Sequence, residues 1–142
     1  MKSRRHADGP SLPPDLRQRL NEAREGLLRV HKALIDHERA RFERDKGRSY
    51  GNVELLQAVI NDSFFAWLRP VSELIVQIDE VEATDEAVAT EQAEALLRQA
   101  VDLLKPDAMG EGFQREYARV MQDAPNLVIA HGAWRAGPGQ AR

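Results

Sequence analysis

The sequence contains no cysteine among its 142 residues. This absence excludes disulfide bonds, a thiol nucleophile, and any zinc or iron–sulfur site with cysteine ligands. A chain without cysteine fits a reducing compartment, and we expect a cytoplasmic protein.

Long hydrophobic runs are also missing. The longest apolar stretches, such as Phe64 to Leu68, span only a few residues, whereas a helix that crosses a membrane needs about 20. The basic start, MKSRRHADGPSLPP, lacks the apolar segment of a signal peptide. We therefore expect a soluble protein that is neither secreted nor embedded in a membrane.

The sequence shows no sustained alternation of apolar and polar residues, so it predicts no strands. No glycine-rich loop follows a strand, which argues against a nucleotide-binding site. Ser72 stands in no nucleophile-elbow motif, so a serine hydrolase triad has no support. Hydrophobic residues make up 42% of the chain and charged residues 30%, the balance of a globular protein.

Helical periodicity covers most of the chain. Apolar residues recur every three or four positions from Leu16 onwards, and glycines between 47 and 51 predict the first break. A further helix is predicted to begin at Thr84 and to end at Pro106. The fold class is therefore all-α, an antiparallel bundle of four to five helices with a kinked central helix. The predicted organisation is a flexible basic arm over 1–13, one bundle domain over 14–135, and a flexible tail over 136–142.

Charge is unevenly distributed along the chain. Residues 1–48 hold 13 Lys and Arg against 8 Asp and Glu, a net charge of +5, and the remainder holds 7 against 15, a net charge of −8. Such asymmetry is typical of nucleic-acid binding, and equally of two parts of one fold, or two protomers, that attract each other. Acidic residues among the arginines, and the lack of a zinc-finger or helix-turn-helix pattern, argue against nucleic acid. A nucleic-acid surface would use Arg39, Arg41, Arg44, Lys46 and Arg48.

Arg69 and Pro70 interrupt the most apolar stretch, NDSFFAWLRPVSELIVQIDE, which covers residues 61–80. If this stretch is one helix with Leu68 at the middle of its buried face, Arg69 lies at the edge of that face and Pro70 outside it. Pro70 is then predicted to remove the hydrogen bond to the carbonyl of Ala66 and to bend the helix. The polar residues predicted to point inwards are Asn61, Ser72 and Asp79.

Inward polar residues recur elsewhere. His31 and Glu38 fall on the apolar face of the first helix, and His131 stands in the apolar run LVIAH. A buried carboxylate is costly unless it is paired, protonated or bound to a metal. Helical bundles build metal sites from such groups on facing helices. One hypothesis is therefore a transition-metal or small-ligand site formed by His31, Glu38, Asp79 and His131.

The other explanation of these residues is a structural polar network. The sequence lacks the Glu-x-x-His pairs of di-iron bundles. Arginine and aromatic side chains are available as hydrogen-bonding partners for an inward carboxylate or histidine. The candidate partners are Arg24, Tyr50, Trp67, Arg69 and Tyr117. We favour this network, with no cofactor, over the metal site.

The helix around Trp67 is predicted to be apolar over more than half its circumference. Such a helix is either central to a bundle or covered by a partner. Our favoured hypothesis is a non-enzymatic protein that acts through a protein partner or self-association, with regulation as one role open to it. The predicted interaction surface comprises Phe64, Trp67, Arg69 and Leu74.

The segments FAWLRPVSELIVQIDE and DAPNLVIAH resemble small uncharacterised bacterial helical proteins. The resemblance extends from His31 to His131. It implies a compact bacterial cytoplasmic bundle, and it transfers no catalytic residue to this chain.

Overall fold

The computed structural model describes residues 12–83 and 90–140, and within these ranges every regular element is helical. The described residues form six α-helices: α1 (Pro14–Lys46), α2 (Asn52–Asn61), α3 (Arg69–Ala83), α4 (Thr90–Leu103), α5 (Gly112–Met121) and α6 (Pro125–Ala136). A 3₁₀ helix (Ser63–Leu68) connects α2 to α3. The all-α class is confirmed. The predicted count of four to five helices is too low.

Helix α1 is the longest element and closely matches its predicted span. Pro14 occupies its first turn, where backbone N–H groups have no partner within the helix, so the missing N–H of proline costs no hydrogen bond. Gly47 ends it in the left-handed conformation, with φ of 74°, and the N–H groups of Gly47 and Arg48 both donate to the carbonyl of Glu43. The buried side of α1 carries Leu16, Leu20, Ala23, Leu27, Val30, Leu34, Glu38 and Phe42.

The apolar stretch that contains Pro70 is not one bent helix. Asp62 has extended backbone angles, and its carboxylate accepts a hydrogen bond from the N–H of Phe64, so a new element begins there. Pro70 is the second residue of α3, where its missing N–H is not needed. The carbonyl of Ala66 instead accepts from the N–H of Arg69.

This break changes which polar residues face inwards. The prediction assumed that one continuous helix runs through Asp62, so that residues on both sides of Asp62 would share one buried face. Asn61 is exposed at the end of α2. Ser72 is half-buried, and its hydroxyl donates to the carbonyl of Arg69 at 3.0 Å. The inward orientation predicted for Asn61 is therefore wrong.

Helix α1 forms the centre of the fold and packs most extensively against α6 and α3. Both neighbours run antiparallel to it. Arg24 near the start of α1 meets Asp79 near the end of α3, and His37 towards its end meets Asp123, just before α6. Gly26 of α1 allows the ring of Trp134 to pack closely, since a Cβ at position 26 would lie 2.7 Å from that ring.

Some predicted boundaries lie outside the described residues. These are most of the predicted arm, residues 1–11, the helix start at Thr84, and residues 141–142 of the tail. Leu12 is buried in the core. Residues 137–140 pack on the end of α6, where the N–H of Gly139 donates to the carbonyl of Trp134 at 2.7 Å.

Candidate functional site

Glu38 is the most deeply buried charged residue described, with no exposed surface. Arg41 donates to both of its carboxylate oxygens, at 2.9 Å from Nη2 and 3.3 Å from Nε. The indole Nε1 of Trp67 and Nη2 of Arg119 each donate to Oε1 at 3.1 Å. With His37, these residues form what we call the Glu38 cluster. Its members come from α1, the 3₁₀ helix and α5.

His37 connects the cluster to the chain just before α6. Its Nδ1 lies 3.0 Å from Oε2 of Glu38, and its Nε2 lies 3.2 Å from Oδ2 of Asp123. A carboxylate only accepts hydrogen bonds, so the neutral ring can satisfy one of these contacts and the imidazolium can satisfy both.

The surroundings keep Glu38 ionised. Burial by itself raises the pKa of a carboxyl group, because it removes water from the charged form. Here the hydrogen bonds from Arg41, Trp67 and His37, together with the charge of Arg119, outweigh that effect and lower the pKa of Glu38 to about 2. Every oxygen of Glu38 already accepts from a donor, so this carboxylate has no position open for substrate chemistry.

The cluster is enclosed by aromatic rings. The guanidinium of Arg41 lies 4.2 Å from the ring centre of Phe64, which favours a cation–π contact. Trp67 also packs against Phe113 with ring centres 5.5 Å apart, and Phe113 stacks on Tyr117. The carboxylate of Glu38 is buried beneath these groups, whereas the side chains of Arg41 and Arg119 are 41% and 38% exposed, so water reaches only the arginine side of each ion pair.

The four residues predicted to form a metal site have separate surroundings. Glu38 is held by arginines, and the half-exposed Asp79 pairs with Arg24. His31 lies two turns before Glu38 on α1, about 10 Å along the axis. His131 bonds to Tyr117, with 2.7 Å between the tyrosine hydroxyl and Nδ1.

Across residues 12–83 and 90–140, no three His, Asp or Glu side chains are grouped so that they could hold a metal ion. The metal site stays a prediction that elemental analysis of protein purified without chelator would test. The observed arrangement agrees with the structural network: Trp67, Arg24 and Tyr117 serve as partners of Glu38, Asp79 and His131.

The residues of the predicted interaction surface mostly pack within the chain. Leu74 is buried, Phe64 lies against Phe42 and Phe65, and Trp67 belongs to the Glu38 cluster. Arg69 alone among the four is exposed. A surface used by a partner is therefore better sought elsewhere.

A different apolar surface is exposed on α2. Val53, Leu56 and Ile60 are 71%, 59% and 59% exposed. Their spacing of three and four residues places them on one side of the helix. Leu55, at 9% exposure, is the one buried residue of α2. We call the three exposed residues the α2 stripe.

Sequence reasoning also missed most partners of Glu38. Arg41 stands three residues after Glu38 on one helix, a spacing that indicates a side-chain pair. Arg119 lies 81 positions away, and no sequence signal connects it to Glu38. His37 lies at the edge of the buried face of α1, with 14% of its side chain exposed.

None of the described helices combines the length and the apolar composition needed to cross a membrane. Comparison of the chain with family models, with curated proteins and with solved structures found no match.

Proposed function

We propose that this protein acts without catalysis, by self-association through the α2 stripe. The observation that supports the proposal is the exposure of three branched aliphatic side chains, Val53, Leu56 and Ile60, along one side of α2. Their contiguous arrangement distinguishes them from scattered surface apolar residues, which are common on any protein.

The stripe suits a second copy of the same chain. A twofold contact brings the same surface patch of each protomer together, so a patch with one charge sign would repel itself. The α2 stripe carries no charge. Glu54, the one charged residue of α2, projects about 130° away from the middle of the stripe and pairs with Arg48 at 3.2 Å.

The size of the stripe indicates a weak dimer. Three aliphatic side chains and their neighbours on a ten-residue helix supply less than the roughly 800 Å² per partner of a standard stable interface. We therefore expect a dissociation constant in the micromolar to millimolar range, with monomer and dimer exchanging rapidly. In such an equilibrium the fraction of dimer rises with the local concentration of the protein.

Sedimentation velocity over a wide range of protein concentration tests the proposal. We expect the average mass of the wild type to rise towards that of a dimer, and Leu56→Glu to hold the chain as a monomer, because dimerisation would bury two unpaired carboxylates. Asn61→Glu is the matched control: it adds the same charge at an exposed position of the same helix, about 110° away from the middle of the stripe. This variant should associate like the wild type.

Two results would overturn the proposal. A wild type that remains a monomer at every concentration would remove self-association. A dimer that Leu56→Glu and Asn61→Glu weaken equally would place the contact away from the α2 stripe. Circular dichroism of each variant shows whether the fold is retained, as expected at these exposed positions.

A further inference from the structure

A cavity of about 580 Å³ lies between the end of α4 and the end of α6. Its volume falls within the range of roughly 300–1,000 Å³ that is typical of small-molecule sites. The cavity lies outside the α2 stripe and the Glu38 cluster, and neither explains it. Its lining includes Val101, Leu104, Lys105, His131, Trp134 and Arg135.

The polar side of this cavity presents hydrogen-bond donors. Lys105 and Arg135 are exposed at its rim, and Arg135 follows His131 by one helical turn. No aspartate or glutamate lines the cavity among the described residues. Lys105 has an acidic neighbour in Asp102, whose Oδ1 lies 3.4 Å from Nζ, but both groups are largely exposed to water. The rim is therefore cationic.

His131 adds a buried polar group to the same cavity. Its side chain is 7% exposed, and within the described part of the chain its one hydrogen bond connects Nδ1 to the hydroxyl of Tyr117. Burial lowers the pKa of His131, with a further contribution from the charge of Arg135, and burial raises the pKa of Tyr117. The ring is therefore neutral and the tyrosine remains a phenol at neutral pH.

The tyrosine hydroxyl fixes which nitrogen of His131 carries the proton. Tyr117 has no other hydrogen-bond acceptor among the described residues, so its buried O–H group is satisfied by donating to Nδ1. The proton of the neutral imidazole then lies on Nε2. This Nε2–H group has no acceptor within the described residues, although it belongs to a residue that lines the cavity.

We propose that this cavity binds a small organic anion, a carboxylate attached to an apolar body. The carboxylate fits the donors, since it can accept from Lys105, Arg135 and the Nε2–H of His131, and Lys105 has only a long, exposed contact with Asp102. The apolar body fits the side of the cavity lined by the half-buried Val101 and by Leu104 and Trp134, each of which is 2% exposed. The proposal is independent of self-association, because none of these residues belongs to the α2 stripe.

The two tryptophans of the chain allow a direct test. Trp134 lines the cavity, whereas the indole N–H of Trp67 donates a hydrogen bond to Glu38 in the Glu38 cluster. Octanoate is titrated into ¹⁵N-labelled wild type, and the two indole N–H signals are followed by NMR. We expect the Trp134 signal to shift saturably and the Trp67 signal to remain in place. Octanol tests the apolar body without the charge, and inorganic phosphate tests the charge without the body. Each should bind at least tenfold more weakly than octanoate.

Variants at the rim test the cationic groups without disturbing the core. Lys105→Gln and Arg135→Gln should each weaken octanoate binding several-fold and leave octanol unchanged. Arg44→Gln, at an exposed position in the last turn of α1, is the matched control and should bind like the wild type. The proposal is overturned if octanoate gives no saturable shift at millimolar concentration, if octanol or phosphate binds equally well, or if neither rim variant changes the affinity.

Discussion

At the scale of single residues, the buried carboxylate of Glu38 is stabilised by donors from three elements. An isolated carboxylate in a core would lose several kcal/mol of hydration. Here Arg41, Trp67, Arg119 and His37 replace water with hydrogen bonds to both oxygens. The low pKa of Glu38 shows that this replacement more than compensates for burial. Losing the charge should therefore destabilise the fold.

Glu38→Gln should lower the free energy of unfolding by about 3 kcal/mol at pH 7, because the neutral amide replaces the carboxylate that pairs with Arg41 and Arg119, and only Arg119 keeps a second partner, Glu116. The folded-state pKa of about 2 lies below the ordinary value of 4.5. The stabilisation by Glu38 is thus complete above the unfolded pKa and is lost as pH falls through the folded pKa. The difference between wild type and variant should shrink between about pH 5 and pH 2.

Urea unfolding at a series of pH values measures this difference. Glu73→Gln, at an exposed position of α3, is the control and should change stability by less than about 0.5 kcal/mol. A Glu38→Gln variant that loses the same stability at pH 3 as at pH 7 would show that the stabilisation does not come from the ionised carboxylate.

The sequence predicted part of this cluster. The helical period identified the inward face of Glu38, because periodicity depends only on neighbouring residues of α1. It did not identify Arg119 or the position of Trp67. Those contacts depend on how separate helices pack and on the short 3₁₀ helix between α2 and α3, which begins after its cap residue Asp62.

At the scale of helices, two glycines have opposite roles. Gly26 of α1 faces Trp134, and a Cβ there would lie 2.7 Å from the ring. Gly132 of α6 is exposed, and a Cβ there would meet nothing within 4 Å. Alanine favours helix over glycine by about 1 kcal/mol at an interior position. The sign of a Gly→Ala substitution should therefore differ between these two positions.

Gly26→Ala should destabilise the protein by about 1–3 kcal/mol, because the ring of Trp134 has to move away from α1. Gly132→Ala should raise the stability by up to about 1 kcal/mol. Thermal and urea unfolding of the two variants give the comparison. If Gly26→Ala were as stabilising as Gly132→Ala, α1 and α6 would not pack through this contact.

Pro70→Ala distinguishes the observed break from a bent continuous helix. Proline in a helix interior costs about 3 kcal/mol relative to alanine, whereas in the first turn it costs little. Since Pro70 is the second residue of α3, we expect the free energy of unfolding to change by less than about 1 kcal/mol. A gain of about 3 kcal/mol in urea unfolding would contradict this placement and support one long helix.

At the scale of the whole molecule, charges in the two parts of the chain meet within one fold. Arg24 of the basic part pairs with Asp79, and His37 contacts Asp123. Several arginines of the basic part have acidic partners nearby, including Arg39 with Glu43. These pairs partly neutralise the positive charge of residues 1–48, which a nucleic acid would need for binding. The sequence showed the asymmetry, but which groups meet depends on packing that composition does not specify.

The central position of α1 also affects how the chain folds during synthesis. His37 contacts a residue 86 positions later, and Gly26 packs against Trp134, which is made later still. While the ribosome makes the intervening chain, the apolar side of α1 has no native helix α6 to cover it. Contacts so distant in sequence slow folding and leave apolar surface open to aggregation. A chaperone that holds nascent chains should therefore bind α1 until α6 emerges.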